Sequence, residues 1–205
     1  MEDHEEIAEG IISRAYEMSN KLADLDLLQT SIAYENRSDL TPKQWEFCMD
    51  LTRIFYSKQG SGSKVAENDV MEALDEMDQQ DSQFLILSAP SNTPNQPDQM
   101  IGYAFFKFSS DWEPQDDDWI LVPCIYLYQV HLLHNFQGQG HGKTLLSILE
   151  RLALRYSFPV LKLTVLRENQ RALKWYLANG FSLDSTDNSL QDPDVGHVIL
   201  SKSIE

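Results

Sequence analysis

Apolar residues along the chain follow two spacings, and the switches between them mark its elements. Ile7, Ile11, Ile12, Ala15, Met18 and Leu22 fall on one helical stripe and predict a helix over Ile7–Leu28. Thr41-Pro42 reads as an N-cap followed by proline at the first helical position, opening a helix that runs to about Tyr56. Gly60-Ser61-Gly62-Ser63 breaks it, and Val65–Met77 reads as a short acidic helix. Strand patterns cover Gln83–Ala89, Ile101–Phe108, Ile120–Leu133, Leu161–Leu166 and His197–Ser203. The stretches between them, Pro90–Met100, the acid-dense Ser109–Asp118 and Asp184–Asp194, read as loops. This order predicts an α/β (α+β) class: a mixed, twisted sheet with helices on both faces. Residues 1–30 are expected to form an N-terminal helical strap, and residues 31–205 one compact domain.

The centre of the pattern is Ile125–Lys143. An apolar strand runs into a loop with Gly138, Gly140 and Gly142 at alternate positions. Thr144–Tyr156 then places Leu145, Leu146, Leu149, Leu152, Ala153 and Tyr156 on a helical face. The first amides of a helix lack internal acceptors and sit at the positive end of its dipole. Glycines let such amides converge, which makes a socket for phosphate. Gly142-Lys143-Thr144 resembles the end of a nucleotide-triphosphate loop, but Gln137 stands where that loop needs glycine. The dinucleotide fingerprint fails on its third spacing. An ordinary glycine turn also fits.

Composition narrows the partners. The formal net charge is −16, from 16 Lys and Arg against 32 Asp and Glu. That argues against nucleic acid or an anionic membrane. It favours a basic peptide or a polyamine, or serves solubility alone. Cys48 and Cys124 supply neither a disulfide framework nor a metal spacing, so a reducing compartment and no metal are expected. Met1–Glu9 is acidic rather than basic-then-apolar, so no secretory leader is expected. The most apolar run, Trp119–Leu133, falls below the ~18 residues of a membrane span.

Gln137-x-x-Gly140-x-Gly142 resembles the pyrophosphate loop of the GNAT acetyltransferases. A second stretch, Asn169-x-x-Ala172-x-x-Trp175-Tyr176-x-x-x-Gly180-Phe181, is similar to that family's other signature. The physics of the second stretch is readable from its residues. Asn169 can cap a helix, Ala172 keeps one face thin, and Gly180 allows a left-handed exit. The resemblance implies the acyl-CoA N-acyltransferase fold, with acetyl-CoA as co-substrate. Val130, His131 and Leu132 would meet it through main-chain groups, and Gly138, Gln139, Gly140, His141, Gly142 and Lys143 would hold its pyrophosphate. Asn169 would lie beside the pantetheine, and Tyr176 would protonate the leaving sulfur. Tyr126 and Tyr128 share a strand face and would position the amine or a water, unless they are aromatic core. Tyr176 could equally be packing for Trp175 and Phe181, and the Gly60–Ser63 turn a wall of the substrate entrance or a plain connector.

A closer resemblance, over Ile11–Ile204, is to the NatD-type N-terminal acetyltransferases of histone tails. It is carried by Ser19-Asn20-Lys21-Leu22, Asp50-Leu51-Thr52, Tyr126-x-Tyr128-x-Val130, Leu163-Thr164-Val165 and Ile199-Leu200-Ser201. It implies acetyl transfer to the α-amino group of histone H4 and histone 2A starts, Ser-Gly-Arg-Gly, by a monomer of nucleus and cytoplasm. Tyr126, Tyr128 and Thr164 would hold the peptide, and Asp111 and Glu113 its arginine; apart from the resemblance, His197 in the last strand could face the same groove. Gln129 stands where that family carries a glutamate, and glutamine cannot take a proton. Gln59–Ala66 lacks the tryptophan that relatives have. A polyamine acetyltransferase, or a catalytically silent acetyl-CoA-binding module, is the alternative.

Overall fold

The computed structural model describes residues 4–19, 32–59, 64–90, 98–116, 118–189, 192 and 196–205. Its elements run α1 (His4–Ser19), β1 (Ile32–Asn36), α2 (Pro42–Gln59), α3 (Lys64–Met77), β2 (Gln83–Ala89), β3 (Gln99–Gln115), β4 (Asp118–Leu132), α4 (His141–Tyr156), β5 (Val160–Leu166), α5 (Gln170–Ala178), β6 (Ser182–Leu183) and β7 (His197–Ser203). The strands form a seven-stranded sheet in the order β1-β2-β3-β4-β5-β7-β6. β4 and β5 are parallel, whereas β1/β2, β2/β3, β5/β7 and β6/β7 are antiparallel. The sheet is therefore mixed, as the order of patterns predicted. The expected continuation of α1 to Leu28, the Gly60–Ser63 turn and residues 91–97 lie outside the described residues.

The chain divides into two compact units. One comprises Leu22–Phe106 and Gln129–Leu146. Its core sets Leu40, Cys48, Leu51 and Met77 against Phe84, Ile86, Tyr103 and Phe105. Helix α2 starts where expected: Gln44 Oε1 accepts from the Thr41 amide at 2.8 Å, and Thr41 Oγ1 accepts from the Gln44 amide at 3.3 Å. That is a capping box, with two orphan donors satisfied reciprocally.

The other unit comprises Met1–Lys21, Lys107–Tyr128 and Ser147–Glu205. Phe108 stacks on Phe158 at 5.2 Å and meets Tyr156 edge-on, while Tyr16 of α1 donates to the Phe108 carbonyl at 3.0 Å. Helix α5 ends as its sequence predicts. Gly180 has φ +88°, the Gly180 amide donates to Leu177 and the Phe181 amide to Tyr176. This is a Schellman closure around a left-handed glycine.

Two expectations change, and one strand, β1, was not foreseen. Ser109–Asp118 is not a loop: β3 runs on to Gln115 and β4 starts at Asp118. Asp111 and Glu113, two residues apart, share one strand face, where Lys162 ion-pairs with both. Helix α4 begins at His141 rather than Thr144, so His141, Gly142 and Lys143 form its first turn. β1 carries no strong alternation and exists through its pairing with β2, Ile32 opposite Leu87 to Asn36 opposite Gln83.

Candidate active site

The glycine loop is an open cradle. Gly138 and Gly140 have φ of +76° and +91°, and a Cβ built on either meets nothing within 4 Å. Side chains brace the loop from behind. Gln137 Nε2 donates to the Leu132 carbonyl at 3.0 Å, and Gln139 Nε2 to the Asn135 carbonyl at 2.7 Å. The Thr144 amide donates to the Gly140 carbonyl at 3.0 Å, the first bond of α4. The amides of its first turn thus lack helical acceptors, and no acidic residue stands in that turn to compete for them. Gln139 contributes main chain here, since its side chain is turned back, and Lys143 is exposed. Such a cradle suits a diphosphate.

Upstream, the Leu133 amide donates to the Ile101 carbonyl at 2.8 Å, which ties the end of β4 to β3. Gly102 makes this approach possible: a Cβ there would lie 2.6 Å from the His131 carbonyl oxygen. The pairing of β4 with β5 ends at Leu127 opposite Leu163, while β4 continues to Leu132. Val130, His131 and Leu132 follow that last pair. In α5, Asn169 is the N-cap, its Oδ1 accepting from the Ala172 amide at 3.2 Å, which leaves Nδ2 as its remaining donor. Tyr176 is buried, edge-on to Trp175 and Phe181. Burial pushes its phenol up, so Oη stays protonated.

Tyr126 and Tyr128 pack against each other with ring centroids 5.0 Å apart, and Tyr126 Oη lies 2.5 Å from Thr164 Oγ1. Tyr128 is half-exposed beneath Lys107, whose Nζ is 5.7 Å from the ring. Burial holds the Tyr126 phenol above its ordinary range despite the Thr164 hydroxyl, so it works as a hydroxyl and not as a base. Tyr126 registers with Lys162 of β5, and Lys162 is wholly buried. Its ammonium ion-pairs with Asp111 at 3.0 Å, Glu113 at 2.6 Å and Asp184 at 3.3 Å.

A sequence profile of the Acetyltransferase (GNAT) family matches residues 45–181. The chain belongs to the GNAT acetyltransferase family. Solved structures share its fold at low identity. The PaiA N-acetyltransferase of Thermoplasma acidophilum, in complex with coenzyme A, is 18% identical with a TM-score of 0.56, covering 85% of this chain and 99% of that one. A GNAT acetyltransferase of Staphylococcus aureus is 12% identical at 0.56, with 85% and 100% covered. An acetyltransferase of Streptococcus agalactiae is 16% identical at 0.54, with 85% and 99% covered.

Several residues of this GNAT chain were not foreseen at the site. Gln129 Oε1 accepts from Tyr103 Oη at 2.6 Å and lies 3.2 Å from Thr52 Oγ1, so two hydroxyls hold its carbonyl. Neither Thr52 nor Tyr103 announces this role in sequence. Lys162 could have been noticed as the one charge in VLKLTVL, on a strand otherwise apolar or neutral. Asp111 does act on Tyr126, but an incoming arginine would compete with Lys162 for Asp111 and Glu113. His197 is exposed at the end of β7, registered with Leu166 and not with Thr164.

His131 presents its ring to Phe55 at 4.7 Å and to Tyr103 at 5.5 Å, and its Nε2 is sealed without a hydrogen-bond partner among the described residues. Burial lowers its pKa to about 4. A buried neutral histidine is linked to folding in a definite direction: its contribution is whole above the unfolded pKa of ~6.5 and lost as pH falls toward the folded value. We expect the melting temperature of the GNAT chain to fall between these two pH values. In His131→Phe that part of the acid limb should flatten. Superimposable pH profiles for the two proteins would contradict this.

Proposed function

We infer that the chain transfers acetyl from acetyl-CoA to the α-amino group of a basic polypeptide, histone H4 and histone 2A tails beginning Ser-Gly-Arg-Gly. The observation that carries the reading is the Tyr126–Tyr128–Thr164 face beside an acidic group of side chains, in a chain of the acetyltransferase family. The open cradle at Gly138 and Gly140 fits the cofactor's diphosphate, held by the first-turn amides of His141, Gly142 and Lys143. Val130, His131 and Leu132 supply main-chain groups and Asn169 its Nδ2. The bound thioester supplies the acetyl group.

The remaining chemistry belongs to side chains. Attack needs a neutral amine. An α-amino group with pKa near 8 is about a tenth neutral at pH 7, whereas a lysine side chain with pKa near 10.4 is neutral well under one part in a thousand. Gln129 cannot accept a proton, so a site built around it works with the α-amine far more readily than with lysine. Tyr126, Tyr128 and Thr164 orient that amine through hydroxyls. Tyr176 retains its proton at Oη, the form a general acid requires.

The test is a panel of peptides with acetyl-CoA, read by fragmentation mass spectrometry. Ser-Gly-Arg-Gly starts should gain acetyl on the terminal nitrogen faster than scrambled starts. Equal rates would dismiss the substrate assignment, and turnover of spermidine without peptide would favour a small-amine acetyltransferase. Cofactor binding without transfer to any amine would make the chain a silent binding module. The same reading expects a monomer of nucleus and cytoplasm, which light scattering and imaging of the tagged protein address.

A further inference from the structure

Past Phe108 the β3 strand leaves the core, and the hairpin it forms with β4 carries an unusual surface. Trp112 is 46% exposed and Trp119 is 55% exposed, two of the four tryptophans in the chain. Each follows an aspartate whose carboxylate accepts from the tryptophan amide: Asp111 to Trp112 at 2.9 Å and Asp118 to Trp119 at 2.8 Å. Asp111 and Glu113 turn toward Lys162, so Trp112 between them faces the other way. Only residues 116 and 117 separate β3 from β4, and Asp116 has φ +53°. β3 and β4 are neighbours in the sheet, so Trp112, turned away from Lys162, stands exposed on one strand and Trp119 exposed on the next.

The charge along the hairpin itself is one-signed. Asp116 and Asp118 are exposed beside them, and no lysine or arginine occurs from Phe108 to Gly142. Exposed indoles attract a guanidinium or ammonium over their faces, and carboxylates at the rim take its hydrogens. Large aromatic surface left in water on an ordered strand marks an interaction site.

We propose that the Trp112–Trp119 face of the β3–β4 hairpin is a docking surface for a Lys/Arg-rich polypeptide segment, separate from the acetyl-transfer chemistry. The probe is a fluorescently labelled Arg/Lys-rich peptide with its N-terminus already acetylated, so that it cannot react. It should bind the full chain in a salt-sensitive manner. Trp112→Ser with Trp119→Ser should weaken that binding about tenfold, as expected for loss of two cation–π contacts. Asp116→Asn with Asp118→Asn keeps shape and hairpin and should both weaken binding and reduce its salt dependence. Affinity for coenzyme A and the melting temperature should be unchanged in the tryptophan variant, which certifies its fold. Unaltered peptide affinity in both double variants, or equal binding of a Glu-rich peptide, would overturn the proposal. Neither result bears on whether an unblocked tail is acetylated.

Discussion

Gly140→Ala is expected to lower the affinity for acetyl-CoA by about 100-fold, close to 3 kcal/mol. Two effects act together. At φ +91° an L-residue pays ~1–2 kcal/mol of backbone strain, so the loop shifts away from its native path. The added methyl meets no protein atom within 4 Å, so it stands in the open space that the ligand's oxygens would need. The larger effect should fall on the cofactor, and folding should lose no more than that ~1–2 kcal/mol of strain. Isothermal titration with coenzyme A measures the first, and thermal melting without ligand measures the second. Unchanged affinity would mean that the loop does not hold the diphosphate. Gly138, at φ +76° and equally open, should behave alike, whereas Gly142 lies within the first turn of α4 and should tolerate alanine better.

Lys162→Met should be the most destabilising substitution on the β5 face, by about 3 kcal/mol, because it leaves the buried carboxylate of Asp184 without its cation. At ~2–4 °C per kcal/mol for a protein of this size, melting should drop by roughly 10 °C. The direction of the pH dependence follows from both partners. Burial pulls the Lys162 pKa down, but the Glu113 and Asp111 carboxylates outweigh it and hold the ammonium above its ordinary range. Its contribution is whole below ~10.4 and fades as pH rises past that value. Burial pulls Asp184 up, yet the hydroxyl and amide of Thr186, then Ser201 and Lys162, keep it below the usual carboxylate range. Its contribution is whole above ~3.9 and fades as pH falls below. The loss in Lys162→Met should thus be constant across neutral pH. Adding Asp184→Asn should recover part of it, because the orphaned charge is gone. Calorimetry of the three proteins decides the matter. A single variant as stable as the parent would show that the cluster contributes nothing net.

The two cysteines add no chemistry of their own. Both are free and buried, and burial holds each thiol protonated, Cys124 being pushed up to about 12. An acyl-enzyme through either one is disfavoured, which agrees with direct attack by the amine.

Local spacing alone determined the strand–loop–helix at residues 125–156, the capped helix at Thr41 and the left-handed exit at Gly180. Each of these depends on contacts a few residues apart: a glycine where φ must be positive, a hydroxyl within reach of the next turn's amide, apolar residues returning to one face. Two signatures in strand–turn–helix context were enough to indicate the GNAT family. Only the tertiary structure decided that Ser109–Gln115 is strand. The acid-dense stretch reads as a loop until Lys162, 51 positions from Asp111, pairs with Asp111 and Glu113. It also decided that Thr52 and Tyr103 orient Gln129, at separations of 77 and 26 residues. Charge neutralisation and hydroxyl networks act through space, and the spacing of residues along a chain carries no record of partners so distant.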